Sequence, residues 1–211
     1  PISFVILFFV VGMVVGAYAG IEGVVRVAAV GVPLITVGYI IIGIGVSQHN
    51  DFSRIMPLLG LGPQKVFVSG LKRLSMYSGL VVLFLIPPFL KTYSAFRKVG
   101  YIGLGISSLF LTLSALVYLL VYPYPTAAEN FLPMYQLARL ITYGRFFQRI
   151  ESIFLFVWAA SAILYMSTGL FFTVYVLKKA FKLVYYRPLV FPFAVLIYTI
   201  SLLPQNLVTS I

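Results

Sequence analysis

Long apolar runs broken by short polar or basic interruptions organise this sequence. A helix that crosses a bilayer needs ~20 mostly apolar residues. Six stretches meet that need, at about 2–19, 27–47, 74–90, 101–121, 150–177 and 188–203. The first lacks the basic lead-in and cleavage site of a secretory signal peptide. The third is interrupted near its start by Ser75, Tyr77, Ser78 and Gly79 and near its end by Pro87 and Pro88.

The connections between these runs are unequal. Those at 20–26, 91–100 and 178–187 are short, and those at 50–73 and 122–149 are long. With six spans, the short set falls on one side and the long set on the other. The short set holds Arg26, Lys91, Arg97, Lys98, Lys178, Lys179, Lys182 and Arg187, a density of positive charge that marks the cytoplasmic face. The long connections carry structure of their own. Pro57, Gly60, Gly62, Pro63 and Gly70 punctuate the first with turns, and 130–147 mixes apolar and basic residues as an interfacial helix does. No linker or low-complexity segment divides residues 1–211, which read as a single transmembrane domain.

Composition agrees with a lipid solvent. Apolar residues make up 62% of the chain and charged residues 9%, against roughly a quarter charged in a soluble domain. The 15 basic and 4 acidic residues give a net charge of +11. The basic residues sit at the ends of apolar runs, which points to the lipid bilayer as the partner and excludes a nucleic-acid surface. The absence of Cys excludes a disulfide framework, and His49 has no second His at ligand spacing. No metal, cofactor or catalytic residue is expected, because the spans are nearly uncharged whereas membrane enzymes bury titratable groups there. The chain opens on Pro1 and ends just beyond a helix, and is expected to be a fragment.

Several residues stand out within the spans. Gly12, Gly16 and Gly20 recur every four residues and form a groove for a close helix neighbour. Around Tyr77, Ser78, Gly79 and Leu80 the helix admits two readings. One is a break lining a cavity, as transporters use for substrate; the other is a Pro-kinked helix with polar residues at its interfacial end. Trp158, Ser161, Tyr165 and Thr168 share one face of the fifth span, facing a cavity or acting as interhelical hydrogen-bonding groups. Glu151 suits a helix N-terminus, and Arg149 beside it leaves a gating role open. Glu22 and Arg26 are spaced to pair at i, i+4.

Four stretches together resemble the spore germination permeases. These are the B subunits of nutrient germinant receptors in endospore-forming bacteria, a branch of the amino acid/polyamine/organocation transporter superfamily. Residues 54–63, reading RIMPLLGLGP, look like the family's Arg-Pro-x-Leu-Gly loop. Residues 83–97, with the Pro pair, Lys91 and Arg97, look like the end of the following span and its basic turn. Arg149, Glu151 and Trp158 are similar to its Arg-x-Glu…Trp signature, and 177–181 follows where it has a basic turn.

The resemblance implies an all-α polytopic membrane helix bundle. It implies part of the inverted-repeat amino acid transporter (LeuT-like) fold, with spans four to nine of ten present. In that fold the substrate sits between the broken first and sixth helices and the third and eighth. Tyr77, Ser78, Gly79, Leu80, Ser161, Tyr165 and Thr168 thereby become ligand-site candidates. The implied function is sensing of a small nutrient, an amino acid above all, in the spore inner membrane. The implied partners are a larger membrane subunit and a lipoprotein subunit. A secondary amino acid transporter and a structural or channel-forming subunit are the alternatives.

Overall fold

The computed structural model describes residues 2–56, 62–72, 79–123, 126–127, 130, 132–142 and 150–203. Every regular element among them is helical: α1 (Ile2–Gly45), α2 (Pro63–Lys72), α3 (Val81–Leu85), α4 (Tyr93–Val121), α5 (Pro133–Leu140), α6 (Ile150–Ala180) and α7 (Arg187–Ser201). Three helices, α1, α4 and most of α6, are long and apolar enough to cross a membrane. The chain divides into two compact units, residues 1–38 with 152–211, and residues 39–151.

In the first unit, α1 breaks at Gly20. Its 44 residues would span about 66 Å as one straight helix, twice a hydrocarbon core of about 30 Å. Gly20 has φ 80° and ψ 179°, a backbone region open essentially to glycine alone. The two arms approach α6 in opposite senses. Gly12 faces Ile163 and Gly16 faces Ser167, whereas Gly31 faces Leu164 and Gly38 faces Val157. Residue numbers rise together along the first arm and fall along the second, so the chain turns back at Gly20. The expected connection at 20–26 thus contracts to one residue, because only Gly20 leaves helical geometry. Glu22 and Arg26 do pair, at 2.6 Å, but both are about three-quarters exposed and add little stability.

Of the groove expected along Gly12, Gly16 and Gly20, the first two form it, whereas Gly20 is the break in α1 and faces the Tyr186 hydroxyl. Met13 and Ala17 are buried beside the groove, and across it α6 buries Ser167, Leu170 and Val174. Glu151 in the first turn of α6 and Lys178 and Lys179 in its last match the partial charges of the helix ends. The helix closes on a Schellman turn: Leu183 N–H donates to Lys178 O at 2.9 Å and Lys182 N–H to Lys179 O at 3.3 Å. Lys182 takes the left-handed position with φ 53°, where glycine is usual. Tyr186 then packs edge-on against Phe171 at 5.5 Å, and Arg187 lies 5.3 Å from the Tyr18 ring. Where the sixth span is expected stands α7, 15 residues long with a proline in its first turn and Pro192 inside, shorter than the ~20 residues a crossing needs.

In the second unit, the third and fourth expected spans differ from the sequence reading. The third does not run as one helix to residue 90. Its described part is a 3-10 turn at Gly79 and Leu80, the five-residue α3, a bend at Ile86 and a second 3-10 turn over Pro87–Phe89. Two consecutive prolines lack the N–H groups that would continue the helix. The fourth begins earlier than expected. Thr92 Oγ1 accepts from Ala95 N–H at 3.2 Å, so 93–100 is the start of α4 and not part of a connection. The expected interfacial helix is α5, shorter than its 130–147 window; residues 143–149 lie outside the described set. Leu137 and Ala138 of α5 are fully buried, so it is packed against the unit rather than lying free.

Candidate ligand site

Of the expected site residues, Tyr77, Ser78 and Arg149 lie outside the described residues. Gly79 and Leu80 form a 3-10 turn leading into α3. Leu80 is helical, with φ −65° and ψ −20°, and partly exposed. These two belong to the second unit and the remaining candidates to the first or its border, so each group is described by itself.

Along α6, Ser161, Tyr165 and Thr168 do share a face. At about 100° per residue, all three point within about 40° of the direction opposite Ile163. The first arm of α1 packs on Ile163 and Ser167, and the second on Val157 and Leu164. The candidate face is the part of the helix surface that these two arms leave. Ser161 Oγ–H donates to Val157 O and Thr168 Oγ1–H to Leu164 O, both at 2.8 Å. Their protons are thus committed within the helix, and what they offer a ligand is oxygen lone pairs. Tyr165 is 68% exposed and carries the free polar tip of the stripe. Trp158 lies at its edge, half-exposed and edge-on to Phe9 at 6.1 Å. Glu151 is half-buried in the first turn of α6.

The buried polar residue of this region is one the sequence reading passed over. Ser167 is 1% exposed, donates to Ile163 O at 2.7 Å and approaches Gly12 O at 3.5 Å. Its signal was the small side chain four residues after Ile163, complementary to the Gly12 and Gly16 spacing.

The second unit gathers polar groups at the C-terminal end of α4. Asp51 N–H donates to Leu120 O at 3.0 Å, and the Arg54 guanidinium donates to Leu120 O at 3.3 Å and also to Val121 O. Both carbonyls belong to the last turn, which has no helical partner for them. Asp51 in turn accepts from the Ser53 hydroxyl and N–H at 2.7 and 3.0 Å and stands 3.4 Å from Arg54. The Ser53 hydroxyl above all, then its N–H and the Arg54 charge, hold the Asp51 carboxyl below its ordinary range. Arg54 opens the RIMPLLGLGP stretch, so that stretch is anchored to α4 at its first residue. On the other side Tyr122 O–H reaches Gln136 O at 3.5 Å and Asn130 Nδ2 donates to the Tyr118 hydroxyl at 2.8 Å. In the same unit, α1, α4 and α5 line a cleft of about 180 Å³ whose walls include Tyr39, Ile42, Phe110, Ser114 and Met134. It is apolar apart from the Tyr39 and Ser114 oxygens, and Ser114 Oγ–H already donates to Phe110 O at 2.7 Å.

Long apolar helices, glycine-mediated packing and a helix broken at a proline pair define a polytopic α-helical membrane protein. Residues 1–208 match the spore permease family of spore germination proteins, and the chain belongs to that family. It is therefore a germination-related membrane protein of permease type. Comparison with curated proteins and with solved structures yields no match.

Proposed function

We propose that this chain forms the nutrient-sensing part of a germinant receptor's membrane subunit in the spore inner membrane. The observation that carries the reading is the family match over residues 1–208. The broken helical path from Gly79 to Phe89 supports it, because a discontinuous helix frees backbone groups that a small polar ligand uses at membrane depth. In this reading the chain contributes spans four to nine of a ten-span inverted-repeat transporter fold, and the two arms of α1 are two of its crossings.

The ligand is a small nutrient, an amino acid foremost. Backbone groups near Gly79, the Tyr77 and Ser78 hydroxyls and the oxygens of Ser161, Tyr165 and Thr168 hold its polar end, and Leu80 contacts its side chain. Arg149, Glu151 and Trp158 act at the entrance to α6. Binding favours one of two helix arrangements, which requires different affinities for the two, and the shift passes to a larger membrane subunit and a lipoprotein subunit.

The test is equilibrium binding of radiolabelled amino acids to the full-length protein, with Gly79→Trp as the blocked form. The sensor reading expects saturable binding that Gly79→Trp abolishes while the protein stays folded. Unchanged affinity in the blocked form overturns the site. Ion-driven accumulation of the amino acid inside liposomes would replace sensing with transport.

A further inference from the structure

We infer that the first three turns of α4 form a binding site for the headgroup of an anionic phospholipid. The 29 residues of α4 span about 44 Å, about 14 Å more than a hydrocarbon core. Its other end is fixed by the Asp51 and Arg54 bonds to Leu120 and Val121. Arg97 and Lys98 fall near the start of the helix, which assigns the excess, about nine residues, to the Tyr93 end and the headgroup layer. Tyr93, Arg97 and Tyr101 form one i, i+4 row there, and Ser94, Lys98 and Ile102 form the next; together they line an open hollow of about 380 Å³.

The chemistry of the hollow fits a lipid phosphate with its glycerol and first methylenes. Tyr93 and Tyr101 are 75% and 69% exposed, amphipathic rings of the kind that sit at headgroup level. The Arg97 guanidinium lies 6.0 Å from the Tyr101 ring centroid, which holds it over the hollow. The Ser94 hydroxyl adds a donor, and Ile102, 58% exposed, adds an apolar wall. Among the described residues no acidic side chain pairs with Arg97 or Lys98; the ion pairs are Glu22 with Arg26 and Asp51 with Arg54. No acidic residue occurs in the sequence between Asp51 and Glu129. A phosphate monoanion supplies what the surrounding sequence lacks, and its acyl chains continue along the apolar flank of the same helix.

The experiment is native mass spectrometry of the full-length protein released from nanodiscs of equal phosphatidylglycerol and phosphatidylcholine. The wild type should retain phosphatidylglycerol selectively. Arg97→Gln with Lys98→Gln should lower retention on the order of tenfold to thirtyfold, each cation contributing about fivefold. Lys178→Gln with Lys179→Gln, equal in charge lost but elsewhere, should leave retention within about twofold of wild type. Should the double Gln variant not fold, Lys98→Gln alone should lose about fivefold, and the exchanged pair Arg97→Lys with Lys98→Arg should keep the lipid. Equal retention by wild type and the Arg97, Lys98 variants overturns the site, as does equal loss from the Lys178, Lys179 control. Displacement of the lipid by millimolar inorganic phosphate would make it an anion site and not a lipid site, and no selective retention would leave an acidic protein segment as its occupant; either overturns the inference.

Discussion

Replacing Gly16 with alanine tests the packing on which the α1–α6 core depends. A methyl built at Gly16 stands 2.6 Å from Ser167 Cβ and overlaps its Oγ as well. Carbon atoms pack comfortably at about 3.5–4.0 Å, so the helices must part by about 1 Å. Ser167 cannot rotate away, since its Cβ is fixed to the backbone and the residue is 1% exposed. Overpacking of this kind costs ~1–3 kcal/mol, and the better helix propensity of alanine returns ~0.5–1 kcal/mol, leaving a net destabilisation centred on about 1 kcal/mol and reaching about 2.5 kcal/mol. Ser167→Gly removes the obstruction. Alone it costs about 0.5 kcal/mol of helix propensity, but combined with Gly16→Ala it should recover most of the clash, a coupling of about 1–2 kcal/mol. Gly12→Ala should be milder, because its nearest neighbour is Ile163 Cγ2 at 2.9 Å, on a side chain that can turn. The assay is unfolding in mixed micelles by SDS titration. Trp158, the one tryptophan of this sequence, stands on Phe9 of the same interface, so its fluorescence reports the event directly. Wild-type stability in Gly16→Ala, or strictly additive effects in the double variant, would refute the close-approach argument.

Three further outcomes follow from local geometry. Arg54→Gln should destabilise the end of α4 by about 1 kcal/mol, discounted for partial exposure, and hydrogen exchange at the Asp51 N–H should accelerate. Lys182→Gly should stabilise by about 0.5–1 kcal/mol, since the left-handed residue carries a Cβ penalty that exceeds the added unfolded-state freedom of glycine; the midpoint of SDS unfolding measures it. The depressed Asp51 carboxyl contributes stability that is present above its ordinary pKa of 3.8 and is lost as pH falls through the lower folded value. Acidification below pH 4 should therefore loosen the 51–54 turn in the wild type but not in Asp51→Asn, read by exchange at the Ser53 N–H.

Much of the fold was legible because lipid imposes a simple rule: apolar length sets helix position. The spans at 101–121 and 150–177 are recovered inside α4 and α6, while the run at 188–203 overlaps α7, a 15-residue apolar helix that ends at Ser201. The Gly12 and Gly16 spacing announced a close helix contact before its partner was known. The ends were harder to read. Polar residues at 93–100 resembled a connection, and the Thr92 cap that starts α4 there is a local hydrogen bond that apolar length does not report.

The sequence by itself determined that the chain is a membrane helix bundle and which motifs it shares with germination permeases, because hydropathy and residue order need no partner to be expressed. The tertiary structure alone decided that Gly20 reverses α1, that Ser167 and not the Ser161 stripe occupies the buried face, and that Arg54 caps α4. Each of those depends on atoms far apart in sequence: Gly16 and Ser167 lie 151 positions apart by their numbers, and Arg54 and Val121 lie 67 apart. A one-dimensional pattern cannot register a contact whose two halves it reads separately.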